Sequence, residues 1–104
     1  MWNPPTAEQL SKLPRLYETE EIPLQDKIIH LHFFIGDCDW FVAEYDGDDT
    51  FFGYVILLGD IQNAEWGYFS LSELLDIQVS YVEIEHDLYW DVRPASQVKE
   101  IMEK

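Results

Sequence analysis

His30 and His32 stand two residues apart in the run Ile28 to Ile35, rich in β-branched and aromatic residues. On a strand such a pair projects from one face, about 6.6 Å apart. That spacing suits two ligands of a metal or an acid-base pair, with Asp37, Asp39 or His86 as candidates to complete the set. The alternative is that a strand simply carries two satisfied imidazoles. Asp37, Asp39, Asp46, Asp48 and Asp49 crowd into two neighbouring turns, where oxygen ligands can bind calcium or magnesium. The run Asp46-Gly47-Asp48-Asp49-Thr50 nevertheless departs from the EF-hand pattern, and Asp and Gly are what hairpin turns require. No cofactor is expected.

Other reactive chemistry is sparse. The chain has no G-x-S-x-G, P-loop, G-x-G-x-x-G or H-E-x-x-H motif. Cys38 is the single cysteine, which excludes an intramolecular disulfide and a cysteine-based zinc site. Asp37 and Asp39 flank it, and neighbouring negative charge disfavours a reactive thiolate. Close carboxylate pairs can do acid-base work, but with 21 Asp and Glu in 104 residues some pair is inevitable.

These residues need elements to position them. Thr6 reads as an N-cap, Ala7 to Lys12 as a short helix and Pro14 as its stop, with Leu10 and Leu13 facing inward. Leu16 to Gln25 has no clear period and reads as an extended arm. Ile28 to Ile35, Trp40 to Tyr45, Phe51 to Leu58 and Glu65 to Phe69 read as four strands joined by Gly- and Asp-rich turns. Ser70 and Glu73 have capping-box spacing and start a helix to Asp76, with Leu71, Leu74 and Leu75 as its stripe.

Val79 to Trp90 alternates apolar and polar positions, which predicts a fifth strand. Val82, Ile84, His86, Leu88 and Trp90 would face the core. Glu83, Glu85 and Asp87 would form an outward acidic row. Pro94 at the first helical position predicts a last helix through Met102, with Val98, Ile101 and Met102 packed on the sheet. The expected fold is α+β: one domain over 1–104, an antiparallel sheet of about five strands and short helices at the N-terminus, after strand four and at the C-terminus.

Charge narrows the function classes. The net charge is −15, and between Lys27 and Arg93 there is no Lys or Arg but 14 Asp or Glu and 14 of the 16 aromatic residues. Nucleic acid and anionic membranes are bound by cations, so neither is an expected direct partner. A basic protein is. The 15% aromatic content separates the chain from disordered acidic sequences. Most rings should fill the core, and Trp66, beside Gly67 after a polar loop, is the ring expected to be exposed. The N-terminus has no signal-peptide pattern and no run is long enough to span a membrane, so the expected location is cytoplasmic.

Phe52-Gly53-Tyr54-Val55, Asn63 to Leu71 and Ile84 to Trp90 resemble blocks of a bacterial domain of unknown function, family 2958, and Leu13 to Thr19 resembles its usual opening. The resemblance covers nearly the whole chain. It implies no established activity and no catalytic residues. It does imply a small bacterial protein of the kind often found on plasmids, phages and other mobile elements, sometimes beside anti-restriction or conjugation functions. Family members often carry Arg where this chain has His86, which removes a cation there.

The expected function is therefore a non-enzymatic protein-binding module, in its sharper form an acidic mimic of DNA acting on a basic host protein through Glu83, Glu85, Asp87 and Trp66. One alternative is a metal-dependent or acid-base hydrolase using His30, His32 and the turn aspartates. Another is a regulatory module that binds through an aromatic face.

Overall fold

The computed structural model describes residues 1–103. Its centre is a five-stranded antiparallel sheet made of β2 (Leu31–Ile35), β3 (Cys38–Tyr45), β4 (Thr50–Ile56), β5 (Glu65–Ser70) and β8 (Glu85–His86), ordered β5-β4-β3-β2-β8. The turn between β2 and β3 is two residues, Gly36 and Asp37, with Ile35 paired to Cys38. Gly36 has φ +53°, which glycine adopts without a Cβ penalty. β3 therefore begins two residues before the expected Trp40.

β3 shows why the core is large for so short a chain. Trp40 through Tyr45 are all buried, as in a strand covered on both faces. A register shift between Val42 and Glu44 accommodates one extra residue opposite β4. On one face Trp40, Val42 and Tyr45 join Leu31, Phe33, Phe51, Leu74, Ile84 and Leu13. On the other, Phe41 and Ala43 join Ile29, Tyr54, Ile56, Ala95, Val98 and Ile101. Phe33, Phe41 and Phe51 are wholly buried, each contributing about 2–3 kcal/mol of transfer free energy.

The local helix signals are realised. Helix α1 (Ala7–Ser11) starts at Thr6 with a reciprocal capping box to Gln9, and Leu13 closes onto the core while Leu10 packs beside it. Helix α2 (Leu71–Asp76) starts at Ser70, whose hydroxyl accepts from Glu73 N–H at 3.3 Å. Leu74 is its buried residue and Leu75 is exposed. The arm is a series of turns ending in a 3-10 turn at Leu24–Asp26.

Several expectations are corrected. Ile28 to Ile35 is two strands, because β1 (Ile28–Ile29) leaves the main sheet to pair with β9 (Arg93–Pro94). Leu57 and Leu58 lie beyond β4, and Leu58 is exposed with φ 53°. The single strand expected over Val79 to Trp90 is replaced by a hairpin of β6 (Gln78–Val79) and β7 (Val82–Glu83), followed by the short β8. Ser80 and Tyr81, with φ 49° and 74°, make its turn without the Asn or Gly that would have announced it.

Of the expected inward set, Ile84 and His86 are buried, but Val82 and Leu88 are exposed. β2 offers β8 only two paired positions, Phe33 to His86 and Phe34 to Glu85, and the chain then turns away. Pro94 does not start the last helix. It pairs with Ile28, a 3-10 turn follows at Ala95–Gln97, and α3 spans Lys99–Met102. Val98 and Ile101 are buried as expected, while Met102 is exposed.

Candidate functional site

His32 is held between two carboxylates. Its Nε2 lies 2.7 Å from Asp39 Oδ1 and its Nδ1 lies 2.9 Å from Asp87 Oδ2. β2 presents the ring on the second face of the sheet, where it stacks on Phe41 with centroids 4.6 Å apart and planes 8° apart. Phe34 and Trp90 flank it. Burial by itself lowers the pKa of this imidazole. The hydrogen bonds and charges of Asp39 and Asp87 together outweigh that, so its pKa lies above the ordinary 6.5.

When protonated, the ring donates from both nitrogens. While these bonds hold, neither nitrogen is available to a metal or a substrate. The arrangement is a latch that ties the segment after β8 to β2 and β3. Its partner Asp87 also accepts Tyr89 N–H at 3.0 Å, closing a small turn.

The other candidate ligands do not join it. His30 follows β1, and its N–H donates to Val42 O. Its ring is half-buried, and burial lowers its pKa. His86 is buried, with Nδ1 3.1 Å from Asn3 O, and burial lowers its pKa despite that bond. Asp37 sits in the β2–β3 turn, where its carbonyl accepts Gly59 N–H. Among the described residues no group of three or more His, Cys, Asp or Glu is placed to hold a metal ion.

The turn aspartates serve the backbone. Asp46 Oδ1 accepts from the N–H groups of Asp48, Asp49 and Thr50, and these bonds lower its pKa. Asp49 is lowered by Ser70 and Ser72, whose hydroxyls donate to it. Its bonds tie the β3–β4 turn to the start of α2.

The expected acidic row is divided. Glu83 Oε1 pairs with the Met1 amino group at 3.2 Å, and Asp87 is engaged by His32. Glu85 remains exposed. Beside it Trp2 runs parallel to β8, with Trp2 N–H donating to Ile84 O and Trp2 O accepting from His86 N–H. Glu85 shares a shallow groove of about 270 Å³ with Trp2, Phe34, Leu88 and Tyr89. Trp2 is 61% exposed and Tyr89 95%, and Tyr81, Tyr17 and Tyr68 are exposed elsewhere on the surface. Neither Trp2 nor Tyr89 stood out in the sequence, because neither an isolated bridge nor a turn leaves a periodic mark.

Trp66, the ring expected to be exposed, is half-buried instead. It stacks on Phe52 at 5.8 Å and meets Tyr54 edge-on at 5.5 Å. It lines a cavity of about 330 Å³ with Leu24, Gln25, Tyr54, Glu65 and Met102. Tyr54 is only 3% exposed, and its hydroxyl is buried without a hydrogen-bond partner among the described residues. Sequence reasoning missed this group, since an orphaned hydroxyl exists only once its neighbours are in place.

Nearby, Lys27 and Glu44 form a buried ion pair at 3.7 Å. Glu44 accepts from the N–H groups of Tyr17 and Thr19 and from the Thr19 hydroxyl, and Lys27 donates to Thr19 O and Oγ1. This pair clamps the arm over the sheet, where Tyr17 takes φ 71°.

Together these features define a small acidic α+β domain whose central strand is buried on both faces and whose His32 is locked between carboxylates. Residues 6–101 match the family described as protein of unknown function (DUF2958), and the chain belongs to that family. Comparisons with curated proteins and with solved structures find no match. No helix among the described residues is long and apolar enough to cross a membrane.

Proposed function

We propose that the protein is a non-enzymatic, cytoplasmic binding module that engages a basic protein, in its sharper form as a mimic of DNA charge acting on a host protein on behalf of a mobile element. The observation that carries this reading is how its cations are used. Lys12 pairs with Glu8, Lys27 with Glu44 and Lys99 with Glu103. The Arg93 guanidinium lies 4.2 Å from the Trp90 ring centre, and Arg15 packs on Gly47 in the acidic β3–β4 turn.

Each described Lys and Arg thus has a partner within the chain, in exposed pairs at Lys12 and Lys99, while Glu20, Glu21, Asp26, Asp37, Glu65, Asp76 and Glu85 are exposed with no ion pair among the described residues. A surface of this kind steers cationic partners. At physiological ionic strength the Debye length is about 8 Å, so the attraction acts through neighbouring acids rather than the total charge.

The test is capture from a bacterial lysate at two salt concentrations, with and without duplex DNA as competitor. A basic DNA-handling protein released by salt and displaced by DNA is the expected result. Recovery of only abundant cationic proteins overturns it. A second reading, recognition through exposed rings, is favoured by Trp2, Tyr81 and Tyr89, and predicts binding that ignores both salt and DNA. The hydrolase alternative loses support because both nitrogens of His32 are occupied.

A further inference from the structure

We infer that the cavity beside Trp66 is an arginine pocket, which receives a guanidinium from the basic partner through the Trp66 ring, the Tyr54 hydroxyl and the Glu65 carboxylate. The inference rests on the basic-partner reading above and names a contact within it.

Three independent observations converge. The first is the Tyr54 hydroxyl, buried with no partner among the described residues. A buried polar group left unmade is costly, and a ligand donor in the adjoining cavity relieves it. The second is Glu65, an exposed carboxylate on the cavity rim that makes no ion pair among the described residues. It supplies a full negative charge to a site otherwise walled by Leu24, Trp66 and Met102. The third is the Trp66 ring itself. A guanidinium is planar and weakly hydrated, stacks on indole and brings five donors, whereas an ammonium is a hydrated point charge.

Size agrees with this occupant. About 330 Å³ is near the lower limit of ligand cavities, enough for one long side chain and small for a nucleotide cofactor. The molecule already uses the same mode internally, with Arg93 over Trp90 and its Nη1 donating to Asp91 O. Gln25, exposed, is a further polar residue of the lining.

The test is an NMR titration of the ¹⁵N-labelled full chain with N-acetyl-arginine amide, using N-acetyl-citrulline amide as the neutral analogue of the same shape. The expected result is saturable shifts at the Trp66 indole and Gln25 side-chain amide with arginine and little response to citrulline. Glu65→Gln should weaken binding at least fivefold and erase the preference over citrulline. Tyr54→Phe should weaken it at least threefold while keeping or raising Tm. Equal responses to the two compounds overturn the pocket, as do shifts concentrated at Trp2 and Tyr89.

The partner experiment separates the two readings. Salt-sensitive capture that survives in the Tyr54→Phe/Glu65→Gln double variant sinks the pocket and leaves the binding module standing. Arginine binding at Trp66 without any salt-sensitive partner supports the pocket and sinks the broader reading.

Discussion

His32 Nδ1 and Asp87 Oδ2 lie 2.9 Å apart, although 55 residues separate them in the chain. With Asp39 on the opposite nitrogen, the imidazole when protonated is a cation in the middle of a run that has no Lys or Arg. A side chain read as a possible ligand thus acts as the local countercharge for two of the acids around it.

That relationship makes stability depend on pH in a defined direction. The folded pKa of His32 is raised above 6.5, so its contribution is complete below that value and is lost as the pH rises through the folded pKa. His30 and His86 have lowered folded values, so theirs is present above 6.5 and declines as the pH falls through them. Urea denaturation of wild type and His32→Gln from pH 5.5 to 9 isolates the first effect. The gap should be about 3 kcal/mol at pH 6, the scale of breaking a buried ionic contact, and should narrow above neutrality. A gap constant across that range contradicts the latch.

The buried pair of Lys27 and Glu44 predicts asymmetric costs. Lys27→Met leaves a buried carboxylate without its cation and should destabilise by about 3–5 kcal/mol. Adding Glu44→Gln should recover part of that loss, because the amide oxygen can still accept from the arm. The check is a double-mutant cycle by chemical denaturation, and simple additivity of the two losses speaks against the coupling.

Two glycines on adjacent strands should respond oppositely. A Cβ on Gly53 would stand 1.9 Å from the Phe41 carbonyl oxygen, within the β3–β4 ladder, so Gly53→Ala should cost more than about 4 kcal/mol or prevent folding. Nothing lies within 4 Å of a Cβ on Gly67, and Gly67→Ala should stay within about 0.5 kcal/mol of wild type. Thermal melts of the two variants decide it.

The hairpin at Ser80 and Tyr81 offers a stabilising change. Both residues hold positive φ, where Asn and Gly are favoured. Ser80→Asn combined with Tyr81→Gly should add about 1 kcal/mol and raise Tm by about 4–8 °C. A fall in Tm would show that the exposed Tyr81 ring supports the fold, against its 96% exposure.

Short-range signals were readable without the fold. The capping residues Thr6 and Ser70 set α1 and α2, and the Gly and Asp turns set the β2–β3–β4 hairpins, because each is determined by neighbours a few residues away. The α+β class and the acidic, aromatic-rich character follow from the same local patterns and from composition.

Other features depended on which segments meet in space. Alternation over Val79 to Trp90 reports only that apolar and polar side chains take turns, and it cannot register that β2 has room for two residues of β8. Trp66 is half-buried because the Leu24 arm and α3 cover the second face, and Pro94 is in a strand because Ile28 lies opposite. Asp87 is bound by His32 and Glu83 by the amino terminus, so of the three acids in the row only Glu85 stays exposed and without an ion pair among the described residues. Hydrogen bonding and burial are properties of pairs distant in the chain, and one-dimensional spacing carries no record of them.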